Sequence, residues 1–412
     1  MFNAGDTAFV LICTALVFVM TPGLAFFYGG LGRRKNMVNN MMNSAFIMGL
    51  GIVLYVLVGY SLSFGEGGNN FIGSLKNIGL AGITKDSLAL NKSIPTFVFV
   101  AFQMTFALIT PAIITGSVAG RMKFKALFLF IALWSVCVYY PLAHMVWGDG
   151  LIGGKIGALD FAGGDVVHIS SGTTGLILAI LLGKRVNYLR TSYRMHSVPF
   201  VFLGMGLLWF GWFGFNAGSS LAANGLAAHA FMTTAVSAAA GMLMWMLLDV
   251  IKQGKPTLIG VCTGVVAGLV GITPAAGHVE VWAALIIGIT VSPVCYYGIA
   301  LIKKIFEIDD ALDAFGCHGI GGIWGGILTG VFANPVISGS GSLGLIYGQT
   351  AQFIAQIKGI LITFVVVVVG TLLCAGIVRI FTPLRVSKKE ELVGLDISEH
   401  GENAYPSFTG LD

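Results

Sequence analysis

The stretch "DFAGGDVVHISSGTTG", residues 160–175, places a histidine eight residues after an aspartate and inside a run of small residues. A second stretch, "DALDAFGCHGIGGIWGG", residues 310–326, does the same. Aligned on their histidines, both read D-x7-H-x3-G-x2-G: Asp160, His168, Gly172 and Gly175 against Asp310, His318, Gly322 and Gly325, with the copies 150 residues apart. Histidine and aspartate are among the costliest residues to place in lipid, so their repetition at equivalent positions of an apolar chain asks for a purpose.

The surroundings of both stretches are apolar. Of 412 residues, 56% are hydrophobic and only 10% charged, and the mean hydropathy is +0.88, far from the roughly 25% charged residues of a soluble domain. Apolar runs of about 20 residues recur, each long enough to cross a hydrocarbon core as a helix. A transmembrane barrel is excluded, because its strands would alternate polar and apolar at period two. Eleven runs are read as spans, at about 6–32, 37–64, 95–119, 125–147, 161–183, 197–220, 228–250, 256–278, 279–302, 311–333 and 355–382. The fold class expected is an all-α integral membrane protein with eleven transmembrane helices. It comprises an inverted five-plus-five pseudo-twofold repeat, halves about 6–183 and 197–333, and a final helix 355–382. Residues 383–412 form a separate polar tail.

Charge sets the expected orientation. All but five of the 23 basic residues fall on the side of the first connection, the exceptions being Lys76, Lys85, Lys92, Lys155 and Lys358. Basic residues accumulate on the cytoplasmic side, which puts the N-terminus outside and the C-terminus in the cytoplasm of a plasma-membrane protein. No basic residue precedes the first apolar run, so it reads as a retained span rather than a cleaved signal. The net charge of +5 therefore reports topology and gives no reason to invoke nucleic acid. The six cysteines lie in apolar runs without CxxC spacing and read as small buried side chains. Glycine, 58 residues, is about twice as common as the usual 7%, as expected of helices that approach closely in lipid.

The two repeats open the fifth and tenth spans, which run in opposite directions. A unit of five spans repeated once must be inverted, and inverted repeats place a shared site near the midplane. Eight residues of helix set each histidine about 12 Å from the end of its span, one from each side. In a core of about 30 Å the rings then differ in depth by only about 6 Å. Each histidine could instead be a satisfied interhelical hydrogen-bond partner, but two at matching positions and depth favour a functional pair. Two neutral imidazoles side by side offer a donor and an acceptor to a small polar permeant, and burial disfavours their charged form. His144, His196, His229, His278 and His400 lie near span ends or in the tail and read as structural or surface residues.

With "AHMVWGDG" (143–150) and "WFGWFGFNAGS" (209–219) added, the repeated stretches resemble the ammonium transporter family of Amt, methylammonium permease and Rhesus proteins, specifically its bacterial Amt branch. The resemblance runs from residue 1 to about 405. It implies a homotrimer whose protomers each carry a narrow pore for ammonium or ammonia, and for methylammonium, without cofactor or metal. It also implies roles: Trp147, Ser219 and Phe102 recruit ammonium at the outer mouth, and Phe106 and Phe215 stack to close the pore below. His168 and His318 line the conduit, and Asp160 supports the recruitment site and the helix geometry. These roles suit the chemistry, since a cation over an aromatic face gains roughly 0.5–2 kcal/mol and a hydroxyl accepts a hydrogen bond that ammonium gives up on leaving water. An apolar constriction then opposes passage of an intact charge.

The segment "EELVGLDISEHGENAY", residues 390–405, reads by composition as an exposed tail. It resembles the family's cytoplasmic tail, which packs against neighbouring protomers and implies a PII-type signalling protein as partner, alongside membrane lipid. A sodium- or proton-coupled carrier would need carboxylates within the spans, whereas Asp160, Asp165, Asp309, Asp310 and Asp313 lie near span ends. A Rhesus-type channel shares the histidines but not the outer tryptophan and the tail, and a sensor on the same scaffold would be expected to carry a signalling domain. An enzyme would need a third metal ligand or a nucleophile beside the histidines.

Overall fold

The computed structural model describes residues 2–89, 93–190, 193–339 and 341–405. Lys92, counted among the outer lysines, and the tail beyond Tyr405 lie outside them. The described residues are helical, and their only strand-like pairings are two isolated bridges, Leu88 with Pro95 and Met122 with Arg385. Among the described residues, ten helices are long and apolar enough to cross a membrane: α1 Ala4–Leu31, α2 Arg34–Phe64, α3 Thr96–Val118, α4 Phe124–Ile156, α5 Gly164–Leu182, α6 Val198–Gly218, α7 Gly225–Gln253, α9 Val281–Ile305, α10 Phe315–Phe332 and α11 Ala351–Phe381.

The eighth expected span differs. Its helix, α8 Leu258–Ile272, stops after 15 residues and continues as turns through His278. Pro274 enters just past its end, and a proline cannot donate to the helical ladder. The carbonyl of Pro274 accepts instead from the backbone of Phe161 at 3.1 Å, which ties this turn to the loop that leads into α5.

Packing links the two parts of the chain. Helix α1 lies along α6, α3 packs against α1 and α5, α7 against α8 and α9, and α11 against α5 and α10. Small residues allow the closest of these approaches. At the crossing of α5 and α10 a Cβ on Gly172 would sit 2.3 Å from the backbone nitrogen of Gly319, and at that of α1 and α6 a Cβ on Gly204 would sit 2.3 Å from the nitrogen of Phe27.

Both aspartates of the repeated motif cap their helices. Asp160 Oδ1 accepts from the backbone of Gly163 at 2.8 Å and Gly164 at 2.6 Å, and its Oδ2 from Asp165 at 2.8 Å. Asp310 accepts from Ala314 at 3.2 Å, Phe315 at 2.9 Å and Gly316 at 3.3 Å, and its Oδ1 also from the Ser117 hydroxyl at 2.6 Å. A buried carboxylate thus satisfies the orphan amides that begin each helix and meets the positive end of its dipole. Each helix then opens with a wide π-helical turn, Gly164–Ile169 and Phe315–Gly319, and each turn holds the motif's histidine. Such turns are uncommon and cluster at functional sites.

At the end of the bundle that carries the basic loops, Asp309 is clamped by Arg185, whose Nε and guanidinium nitrogen donate at 2.8 and 2.6 Å. Fully buried Arg121 donates to the Asp309 carbonyl at 2.5 Å. The tail docks at the same end rather than standing free. Helix α12, Lys388–Val393, begins with a reciprocal capping box between Ser387 and Glu390, and Glu391 accepts from Arg385 at 2.8 Å and from the backbone of Val186 at 2.6 Å. Leu395 donates to Asn36 at 2.9 Å, and Asp396 accepts from the backbone of Asn39 at 2.8 Å. Composition alone misses this docking because few, specific hydrogen bonds carry it rather than an apolar face. The cysteines hold no disulfide, and all are buried except Cys137, which faces outward from α4; its outward face is apolar, so a thiol costs little there.

Candidate functional site

Helices α3, α4, α5, α6 and α10 converge on one line of side chains. It starts in a pocket of about 180 Å³ lined by Phe99, Gln103, Phe106, Trp147, Phe161 and Ser219, with Phe64 and Leu221 at its rim. Trp147 ends the continuous part of α4, and its indole N–H donates to the Asp160 carbonyl at 2.9 Å, which fixes the ring beside the α5 cap. Ser219 donates its hydroxyl proton back to the Phe215 carbonyl at 2.9 Å. Its oxygen lone pairs are left for a donor in the pocket.

Phe106 floors the pocket, and Phe215 lies behind it. Their rings stack at 4.2 Å with an interplanar angle of 29°, and Trp147 meets Phe106 edge-on at 5.9 Å. Phe102 does not line the pocket. It is fully buried, packs edge-on to Phe106 at 5.0 Å, and fills the space where a Cβ on Gly218 would go. The face of α3 that reaches the pocket carries Phe99, Gln103 and Phe106, spaced one turn apart.

Beyond the phenylalanines lies a cavity of only about 10 Å³, lined among others by Ile109, Val167, Leu208, Trp212, Val266 and the two motif histidines. That is about the space of one water-sized molecule. His168 Nδ1 and His318 Nδ1 are 3.2 Å apart, and the rings lie 5.2 Å apart at 30°. One Nδ1 must then carry the proton and the other receive it, so the two Nε2 atoms differ, one an acceptor and the other a donor. His168 Nε2 is buried without a protein partner. In a sleeve of aliphatic and aromatic carbon, the imidazole edges are the polar groups available to a small molecule. On the far side a cavity of about 340 Å³ opens among Arg33, Arg185, Tyr193, Arg194, Lys303 and Asp313, at the end where the tail docks.

The chain matches the family model "Ammonium Transporter Family" over residues 8–405. It is 50% identical over 401 residues to an ammonium transporter of Bacillus subtilis, covering 97% of this chain and 98% of that one. The chain belongs to the ammonium transporter family. Among solved structures it superposes on Mep2 of Saccharomyces cerevisiae with a TM-score of 0.87 at 34% identity, covering 99% of this chain and 93% of that one. It also superposes on a sensor Amt protein with a TM-score of 0.88 at 26% identity, covering 96% and 98%. This ammonium transporter is thus a multi-pass helical membrane protein and not an enzyme.

The structure brings together Trp147, Ser219, Phe106, Phe215, His168 and His318 along one line, with Asp160 behind Trp147, and sets Phe102 in the packing beneath. Two residues along that line escaped sequence reasoning. Trp212 stacks on His168 with ring centres 5.3 Å apart at 23° and is held by donation to Thr273 at 2.9 Å; its place one turn before Phe215 in "WFGWFGF" was the available signal. Gln103 is a lone amide one turn before Phe106 in "FQMTF".

Proposed function

We propose that this chain takes up ammonium across the plasma membrane by stripping it to ammonia. In this reading the Trp147 pocket faces outside. Ammonium sits against the Trp147 and Phe106 rings with the Ser219 oxygen accepting one of its N–H bonds, and it gives a proton to water in the pocket before the Phe106–Phe215 stack. Ammonia then passes the histidine pair, donating to one Nε2 and accepting from the other, and takes a proton from water in the basic cavity. The observation that carries this reading is the 3.2 Å contact of His168 with His318 in a space of about 10 Å³, too small and too apolar for a hydrated cation. Asp160 supports the pocket by holding the start of α5 and, through its carbonyl, Trp147. Phe102 is assigned a backing role for the gate instead of direct contact.

The same reading includes eleven crossings, with α8 and the turn after it as the eighth, and an inverted repeat of five helices centred on the two capped histidine helices. It places the N-terminus outside and the docked tail in the cytoplasm. It also includes assembly as a homotrimer, with lipid around it and a PII-type signalling protein closing the basic cavity. Residues 1–382 form the transport unit and 383–412 the regulatory tail.

Purified protein in liposomes, with uptake and current recorded together, tests the central step. Wild type is expected to take up ammonium and methylammonium with little response to potassium. His168→Ala opens the passage and removes one of its two imidazole partners, and is expected to lose discrimination against potassium. A variant that keeps both rate and selectivity would remove the histidine pair from the mechanism.

A further inference from the structure

One amide side chain on the wall of the Trp147 pocket is left without a protein partner. Gln103 lines the pocket, is half-buried, and its amide makes no hydrogen bond to any of the described residues. The other polar side chains at this mouth already have protein partners, with only the Ser219 lone pairs left over. Trp147 Nε1 is committed to the Asp160 carbonyl, the Ser219 hydroxyl proton to the Phe215 carbonyl, and the Asp160 carboxylate to the amides of α5. A half-buried amide on a pocket wall hydrogen-bonds whatever fills the pocket, water or ligand. The same position on an otherwise apolar face would be filled as well by leucine or methionine.

We infer that Gln103 is a direct ligand of the ammonium ion in this pocket and its main test for an N–H donor. This rests on the reading of the pocket as the recruitment site. A tetrahedral ammonium lying on the Trp147 ring uses one N–H toward the π face and one toward Ser219 Oγ, leaving its remaining N–H bonds without acceptors once water is shed. Gln103 Oε1 is the side-chain acceptor left on the pocket wall. It supplies a hydrogen bond to a charged donor, the stronger class of such bonds. Potassium, of similar size, has no proton to give and gains only the carbonyl dipole. The helix register enforces the geometry: Gln103 is one turn from Phe106, so the acceptor stands directly above the gate on the same rigid helix. A site built to hydrogen-bond its ligand rejects analogues that cannot.

The test is concentration-dependent uptake and potassium competition for the full-length protein in liposomes. Gln103→Leu and Gln103→Met keep the volume and remove the acceptor. Each is expected to raise KM for ammonium about tenfold with the loss falling on KM rather than kcat, and to make uptake sensitive to potassium. Gln103→Glu keeps the shape and the acceptor, adds charge, and is expected to restore KM to the wild-type value or below it, a rescue that a packing role would not produce. Ser219→Ala and Trp147→Leu are measured in parallel. If these raise KM while Gln103→Met leaves it within twofold, the inference about Gln103 is overturned and the pocket reading stands. If none of the four substitutions that remove a ligand changes KM, the pocket is not the recruitment site and both fall. Should Gln103→Leu fail to fold, Gln103→Met and Gln103→Glu decide the question.

Discussion

The backbones of Gly172 and Gly319 touch: a Cβ added to Gly172 would lie 2.3 Å from the Gly319 nitrogen and 2.7 Å from its Cα. This contact lies one turn from His168 and directly beside His318, and it draws α5 and α10 together, so the imidazoles meet. A Cβ on Gly322 would likewise press on the His168 Cβ at 3.1 Å. The histidine spacing is thus set by backbone contact between two helices, with no side chain between them.

Gly172→Ala is therefore expected to force the crossing apart. The neighbouring atom is backbone and cannot swing away, so the substitution should cost about 1–3 kcal/mol as overpacking. It should also reduce transport more than it reduces folding, because it widens the histidine contact first. Thermal unfolding in detergent and uptake in liposomes measure the two effects. Gly49→Ala, on an exposed face of α2 with nothing within 4 Å of the added methyl, should leave both near wild type.

Asp160→Ala removes the acceptor of four backbone amides at the start of α5. Buried donors left without partners cost about 1–3 kcal/mol each, and the Trp147 indole loses a fixed carbonyl. Asp160→Asn keeps one acceptor oxygen but turns an amide N–H₂ toward backbone N–H groups, so it should rescue little. The expected outcome is a lower unfolding temperature together with a raised KM for ammonium. Wild-type KM in Asp160→Ala would separate the cap from the pocket.

The pH dependence of stability should carry the signature of Asp309. Burial works against its carboxylate, but hydrogen bonds and charge from Arg185, with Arg121 behind, hold it below the usual carboxylate range. Burial pulls Arg121 down to about 10, which leaves it charged at neutral pH. A carboxylate with a depressed folded pKa contributes stability that is present above its unfolded value, about 3.9. That stability is lost as pH falls through the folded value. Wild type should lose unfolding temperature below about pH 4 more steeply than Asp309→Asn does. At pH 7 the variant should be the weaker by about 3–5 kcal/mol, since it leaves buried guanidinium unpaired. Parallel pH curves for the two proteins would refute the assignment.

The tail should be released by a single methyl group. Gly394 has φ +113, a conformation that favours glycine, and a Cβ there would meet the Lys35 carbonyl at 2.6 Å. Gly394→Ala is expected to undock residues 395–400 and loosen α12, so that trypsin cleaves faster at Lys388 and Lys389, whose side chains are already exposed. Asp396→Ala, which removes the acceptor for the backbone of Asn39, should do the same more weakly. Unchanged cleavage in both would mean that the tail is held elsewhere.

The sequence alone determined that the chain lives in lipid, that its helices pack closely, and that Asp160 with His168 and Asp310 with His318 form equivalent units. Those conclusions follow from local chemistry: hydropathy, residue size, and the cost of polar groups at membrane depth act on each segment independently. It also foresaw similar depth for the two histidines, because helical rise converts residue count into distance. Only the tertiary structure decided that the rings meet through their Nδ1 atoms, that Trp212 covers His168, that Gln103 rather than Phe102 reaches the first pocket, and that the tail folds onto its own chain. Each of these depends on helix rotation and on contacts between residues far apart in the chain. Neither is encoded in any one segment's periodicity, because a helix that is apolar all round gives no preferred face from sequence.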